Sequence, residues 1–421
     1  MEEQELARTQ ELGEALTSDQ PEPRNRLRQA AGAAAPLDEQ DLARTQELGE
    51  ALASGQQGPR NWLCQAAGAA APSGGRELHA VSDRGGKIQR RPVHGVLLLD
   101  KPLGLSSNQA LQKAKWLLRA DKAGHTGTLD PLATGVLPLC FGAATKFSQL
   151  QLDADKTYEA VLLLGQKTST GDAEGDVIET RAVPALPADL LEKLTRRFTG
   201  PQQQIPPMYS ALKKDGKPLY EYARAGQEVE RPPRDITIYE LHMALAHDPR
   251  ASAAIKIIAR CSKGTYIRTL GEDIGEAIGC GAHLGFLRRI ETGGFTAAQC
   301  VSLPELQVMT EAERDACLLP PQTLVRACPV VTLDADNAGR FLSGLRRRGA
   351  PGQWGSDLHQ SEALVQVYGS DPHAFLGTAH ITADELIPER LLSPLEIQDI
   401  LQTARAASCP QERAGPAPLS H

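Results

Sequence analysis

Residues 124 to 135 read Gly-His-Thr-Gly-Thr-Leu-Asp-Pro-Leu-Ala-Thr-Gly, a stretch in which one carboxylate, Asp130, stands among three glycines, a histidine and a proline. Such a stretch makes a poor helix and a poor strand. Glycine and proline break regular structure but permit a fixed, tight backbone path, so this segment places a side chain rather than extending an element. The side chain it places is Asp130. Taken alone, Asp-Pro is ordinary turn chemistry in which the aspartate caps the following element; the rest of the chain decides between that reading and a chemical one.

Working outward, Gly95 to Leu99 reads as a buried strand, and Ser106 to Ala120 as an amphipathic helix with Ser at its start and Leu111, Trp116 and Leu118 as its apolar residues. After the Asp130 loop, the pattern predicts a short strand at Val136 to Phe141, a helix at Ala144 to Leu152, a strand at Tyr158 to Gly165 and a helix at Leu186 to Phe198. A Pro- and Lys-rich segment runs from Pro201 to Arg234, followed by paired strands at Ile236 to Ala246 and Ala253 to Cys261 and a helix at Thr265 to Ile278. This mixture is the signature of an α+β domain. Val330 to Leu333, Ala363 to Tyr368 and Phe375 to Ala379 are short strands of a second, smaller β unit, and Ile397 to Ala407 has helical spacing.

The N-terminal region has a different texture. Residues 3 to 36 recur at 39 to 72 with 27 of 34 positions identical, and two copies are too few for a solenoid. Each copy offers a short apolar-spaced helix, with Leu6, Leu12 and Leu16 or Leu42, Leu48 and Leu52, then an Ala/Gly/Pro tail, so residues 1–90 are expected to be a largely disordered extension. The expected domains are therefore that extension, a main domain at 91–325, a β-rich domain at 326–392 and a tail at 393–421.

Bulk properties narrow the class. No apolar run approaches the roughly 18 residues needed to span a bilayer, and the start, Met-Glu-Glu-Gln-Glu, lacks the order of a signal peptide. Eight scattered cysteines with no Cys-x-x-Cys pair predict reduced thiols, no metal site and a cytoplasmic location. The net charge of -7 divides unevenly: residues 91 to 300 hold 26 basic and 23 acidic side chains, a balance of +3, while both flanks are negative. A locally positive face on an acidic protein still permits RNA binding.

Six segments, in order, carry a family resemblance: Gly-Val-Leu-Leu-Leu-Asp-Lys-Pro at 95–102, the 124–135 loop, Asp-Lys-Thr-Tyr at 155–158, Tyr-Ser-Ala-Leu-Lys at 209–213, Cys-Ser-Lys-Gly-Thr-Tyr-Ile-Arg-Thr at 261–269 and Gly-Ala-His-Leu-Gly-Phe-Leu-Arg-Arg at 281–289. Together they resemble the TruB family of pseudouridine synthases, bacterial enzymes that convert uridine 55 of tRNA. The resemblance implies a pseudouridine synthase catalytic domain built on a large mixed or antiparallel sheet, followed by a PUA-like domain at 326–392, a weaker match whose only basic run is Arg346 to Arg348. The duplicated extension lies outside the family pattern.

Pseudouridine formation breaks the C1′–N1 bond and joins C1′ to C5 of the same base, with no redox change and no added group. A carboxylate suffices as nucleophile, and by resemblance that role falls to Asp130; the sequence leaves open whether sugar or base is attacked. Arg268 corresponds to the family arginine whose cation keeps the aspartate ionised and aimed. Tyr158 corresponds to the residue that packs on the target base and assists proton removal from C5, Tyr266 and Leu287 to the uracil pocket, and His125 to the histidine that fills the space left by the flipped nucleotide. Asp172 lies near the site in the family and orders a loop. Residues 201–235 match the family's thumb-like insertion over the tRNA arm, with Lys213, Lys214, Lys217, Arg224, Arg231 and Arg234 for phosphates and Tyr209, Tyr220 and Tyr222 for bases. The implied enzyme is a monomer that uses no cofactor, metal, membrane or guide RNA and takes the T-arm of tRNA as its partner. Two rivals share this sequence pattern: an RNA-folding chaperone using the same cleft, and the archaeal and eukaryotic relative that works with guide RNA.

Overall fold

The computed structural model describes residues 89–349, 363–382 and 385–408. The duplicated segments, the expected linker up to Ile88 and the tail from Cys409 lie outside the described residues.

A ten-stranded mixed sheet forms the larger part. Its strands are β1 (Gly95–Lys101), β2 (Ala123–His125), β3 (Ala133–Phe141), β4 (Lys156–Leu164), β5 (Gly200–Gln204), β6 (Arg234–Ala246), β7 (Ala254–Cys261), β8 (Ala282–Thr292), β9 (Phe295–Thr296) and β10 (Val301–Ser302). The order is β10-β1-β3-β8-β4-β7-β6-β5, with β2 paired to β3 and β9 to β8. The β3–β8 and β1–β10 pairs are parallel, and the others are antiparallel.

The apolar run of β1 is continuous because both faces of this strand are covered. Leu97 and Leu99 enter one buried cluster with residues of helices α1 (Ser107–Leu117), α2 (Leu190–Phe198) and α3 (Ile267–Ile278), while Val96 and Leu98 enter another with Phe147, Phe295, Phe375 and Leu392. The same alternation along β3 puts Leu137 and Leu139 on the helix face and Val136 and Cys140 on the opposite one.

A five-stranded sheet follows, formed by β11 (Val330–Leu333), β12 (Arg347–Arg348), β13 (Ala363–Ser370), β14 (His373–Thr382) and β15 (Glu385–Leu391) in the order β11-β13-β14-β15-β12. It has its own core of Val331, Leu333, Phe341, Val365, Val367 and Ile381, and it meets the large sheet through Phe375, whose ring lies 5.3 Å from that of Phe147. The architecture is α+β, as expected from the sequence.

Three local expectations need correction. Ala144 to Leu152 is two short 3-10 helices, Gly142–Lys146 and Ser148–Gln151, rather than one α-helix. Trp116 is 57% exposed instead of buried, whereas Leu111 and Leu118 are buried as predicted. Strand β8 was not foreseen, because Gly285 and the Arg288–Arg289 pair break its apolar alternation. The structure satisfies both arginines: Arg288 forks onto Asp100 at 2.9 and 2.7 Å, and Arg289 is buried.

Candidate active site

The Asp130 loop joins β2 to β3 and is fastened on both sides. The Ser107 hydroxyl donates to the Leu129 carbonyl at 3.0 Å and accepts from the Leu129 amide at 2.7 Å, tying the loop to the first turn of α1. Pro131 accepts from the Gly104 amide at 2.9 Å. The turn is closed by the Ala133 amide donating to the Asp130 carbonyl at 3.0 Å. Gly135 ends the loop at φ +98°, and a Cβ there would stand 2.1 Å from the Arg289 carbonyl oxygen, so only glycine lets β3 and β8 approach.

Strand register then gathers the other side chains. In the parallel β3–β8 pair, Leu287 lies beside Ala133 and Arg289 beside Gly135, and Arg289 is also opposite Tyr158 on β4. Tyr266 is the residue before α3, and Arg268 is in that helix's first turn, so the helix start faces the loop. The Gln204 side chain holds this start by accepting from the Tyr266 amide at 2.7 Å and donating to its carbonyl at 3.0 Å.

Around Asp130 these elements enclose a cavity of about 380 Å³, lined by Asp130, Tyr158, Tyr266, Arg268 and Leu287 among others. Of the six residues singled out from the sequence, His125 alone is outside this lining. Its Nδ1 is buried without a hydrogen-bond partner. Burial and the nearby Arg289 guanidinium push its pKa below the ordinary value, so the ring is neutral at pH 7.

Arg268 is 4% exposed. Its Nη2 lies 2.9 Å from Asp130 Oδ2 and donates to the Tyr209 carbonyl at 2.6 Å, while Nη1 donates to the Thr170 carbonyl at 2.9 Å and lies 3.7 Å from Asp172 Oδ2. Arg268 is therefore a buried cation. The Asp130 side chain is 40% exposed because it faces the cavity, and protein closes around its remaining sides. Burial pushes its carboxyl above the ordinary carboxylate value, and Arg268 pulls it back. The direct ion pair to a permanent cation favours its charged form. Asp172 orders its own loop, its Oδ1 accepting from the Thr170 hydroxyl at 2.6 Å and the Glu174 amide at 3.1 Å. Burial also raises the pKa of Tyr158 and Tyr266 above the ordinary phenol value.

Four residues here had no role assigned from the sequence. Lys101 is fully buried, donates to the Pro102 carbonyl at 2.9 Å and reaches that of Pro131, and is lowered to about 8 by burial. Lys156, lowered to about 8 by burial, and Arg289 both line the cavity. Gln204 is the fourth. Their signal was a charged or amide residue at a strand end or within a strand, which is indistinguishable from a solvated one until register is known. Among the described residues no group of three or more His, Cys, Asp or Glu side chains could hold a metal ion, and no helix is long and apolar enough to cross a membrane.

Residues 115–267 match the model of the TruB family pseudouridylate synthase N-terminal domain, 268–326 that of the tRNA pseudouridylate synthase B C-terminal domain, and 329–392 that of the pseudouridine synthase II TruB C-terminal domain. The chain belongs to the TruB family. It is 62% identical over 329 residues, covering 78% of this chain and 96% of the relative, to tRNA pseudouridine synthase B of Verminephrobacter eiseniae. It is 55% identical over 316 residues, covering 74% of this chain and 98% of the relative, to the protein of that name from Cupriavidus pinatubonensis. Among solved structures, a Cbf5-Nop10-Gar1 complex supplies a chain with a TM-score of 0.55 at 23% identity, covering 74% of this chain and 87% of that one. That likeness shows that the two chains share a fold. The bland reading of 124–135 as a simple capping turn gives way to a family motif.

Proposed function

We propose that this chain isomerises uridine 55 in the T-loop of tRNA to pseudouridine, as a cytoplasmic monomer without cofactor, metal or guide RNA. The observation that carries this reading is the Asp130–Arg268 pair at 2.9 Å on the wall of a cavity sized for a small ligand. A uridine in a folded loop hides C1′ and C5, so the nucleotide is unstacked into the pocket at a cost of a few kcal/mol. Asp130 acts as nucleophile on the flipped nucleotide and N1 leaves C1′. The freed base then turns to present C5, a C1′–C5 bond forms as the bond from Asp130 breaks and the carboxylate is released, the C5 proton departs with the help of Tyr158, and N1 takes up a proton. Tyr266 and Leu287 line the base site, Arg268 aims the carboxylate, and the neutral His125 stacks where the nucleotide stood.

Binding offsets the unstacking cost through the segment 201–235. Lys213, Lys214 and Lys217 are exposed there, and Arg224 lies 5.3 Å from the Tyr220 ring, a cation-and-aromatic surface suited to backbone phosphates and bared bases. This insertion also favours the stand-alone enzyme over a guide-dependent one, since it provides a contact surface on the chain itself. The test is to incubate the purified chain alone with an unmodified tRNA transcript and map pseudouridine. Product at position 55 is expected, and no product there, or product only after a guide RNA is added, would overturn the proposal.

A further inference from the structure

We propose that Arg289 is a positioning residue for this reaction, a single buried guanidinium that locks both stems of the Asp130 loop to Tyr158. The inference rests on the roles given above to Asp130 and Tyr158.

Arg289 is 1% exposed, and among the described residues it has no carboxylate within ion-pair distance. Burying a cation without a counter-ion is costly, so its N–H groups must be satisfied by neutral acceptors. The acceptors are informative. Nε donates to the Val136 carbonyl at 2.8 Å, and Nη2 reaches the Gly127 carbonyl at 3.4 Å. Gly127 precedes Asp130 and Val136 follows it, so one planar group spans the two stems of the loop. The same side chain stands directly across from Tyr158 on the neighbouring strand, and both residues line the cavity that holds Asp130. A shorter or single-pronged side chain cannot hold both carbonyls and still face Tyr158.

Tyr158 shares its cavity with Asp130, Lys156, Tyr266, Arg268 and Arg289, and the Cys261 thiol approaches it from β7. Burial pushes Cys261 up to about 12, so the thiol is neutral at working pH. Arg289 is thus the cation that favours the phenolate form of Tyr158, against burial and Asp130, which oppose it.

The plain alternative is a structural plug. The two are separated by following the ionisation of Tyr158 as the tyrosinate absorbance step that disappears in Tyr158→Phe, in the parent, Arg289→Gln and Arg289→Lys. A positioning role predicts that the step moves to higher pH in Arg289→Gln, and that kcat falls about a hundredfold while KM changes less than about threefold. Arg289→Lys shows the same changes at roughly a tenth of the size in kcat, because an ammonium keeps the charge but loses the fork. A plug predicts the opposite movement, toward the ordinary phenol value of about 10 as water enters, with kcat and KM changing together. A step that stays put or moves down overturns the proposal. If Arg289→Gln does not fold, Arg289→Lys alone decides, an unmoved step and unchanged kcat counting against it. The titration needs no turnover, so it also separates failure of this inference from failure of the proposed activity.

Discussion

Arg268 and Lys213 are both cations beside the same cavity, yet their surroundings are opposite. Arg268 is 4% exposed and bonded to Asp130, Thr170 and Tyr209, with Asp172 behind it. Lys213 follows Leu212 of the cavity lining, is exposed, and has no ion pair among the described residues. On the proposed function, the contrast separates an inner cation that aims a carboxylate from outer ones left available for a phosphate backbone. Changes at the inner position should act on chemistry and stability, and changes at the outer one on binding and salt dependence.

The largest effect that sharpens this contrast is expected for Arg268→Gln, with kcat about 10²- to 10³-fold lower. The same change leaves the Asp172 and Asp130 carboxylates without their cation and should lower stability by about 3 to 5 kcal/mol, read from denaturant unfolding. Its pH profile should move in a defined direction. The reaction needs Asp130 ionised, so activity is lost as pH falls through its pKa. Burial already raises that value and Arg268 opposes the rise, so removing Arg268 shifts the acid limb upward. A limb that moves down breaks the assignment.

Replacing Lys213, Lys214 and Lys217 with Ala should raise KM for tRNA about tenfold, leave kcat nearly unchanged and reduce the slope of log KM against log salt by about 2. An equal fall in kcat would place these lysines with Arg268 instead. Gln204→Leu strands the Tyr266 amide and carbonyl and should cost about 1 to 3 kcal/mol in unfolding experiments, with a small rise in KM. His125→Ala should be the mildest, about three- to tenfold in kcat/KM, with no movement of the acid limb because the ring is already neutral.

Much of this was legible in the sequence where pattern and chemistry coincide. The β1 run, the paired β6 and β7 and the capped α1 follow from periodicity and a Ser106–Gln109 capping box. Asp130, Tyr158, Tyr266, Arg268 and Leu287 were identified through motifs, and the loop, the strands β4 and β8 and the start of α3 bring all five to one cavity. What was not legible depends on pairing. Arg289 and Lys101 stood in quoted motifs without an assigned role, because nothing in one strand reveals the carbonyls of another. Trp116 read as core because a helix's apolar face is known only once its neighbours are placed. In 326–392 the pattern showed only three short strands, whereas pairing extends two of them to Ala363–Ser370 and His373–Thr382 and adds two more, and Phe375 packs on Phe147 in the cluster that includes Val96 and Leu98 of β1.

The central claim is that Asp130 performs the isomerisation. Moving the glycosidic bond from N1 to C5 must expel the hydrogen on C5, so release of tritium from a tRNA transcript labelled at C5 of uridine reads the reaction directly. The parent chain should release one equivalent per tRNA, and Asp130→Asn, folded and still binding tRNA, should fall at least about 10⁴-fold. Release by Asp130→Asn at the parent's rate would contradict the account.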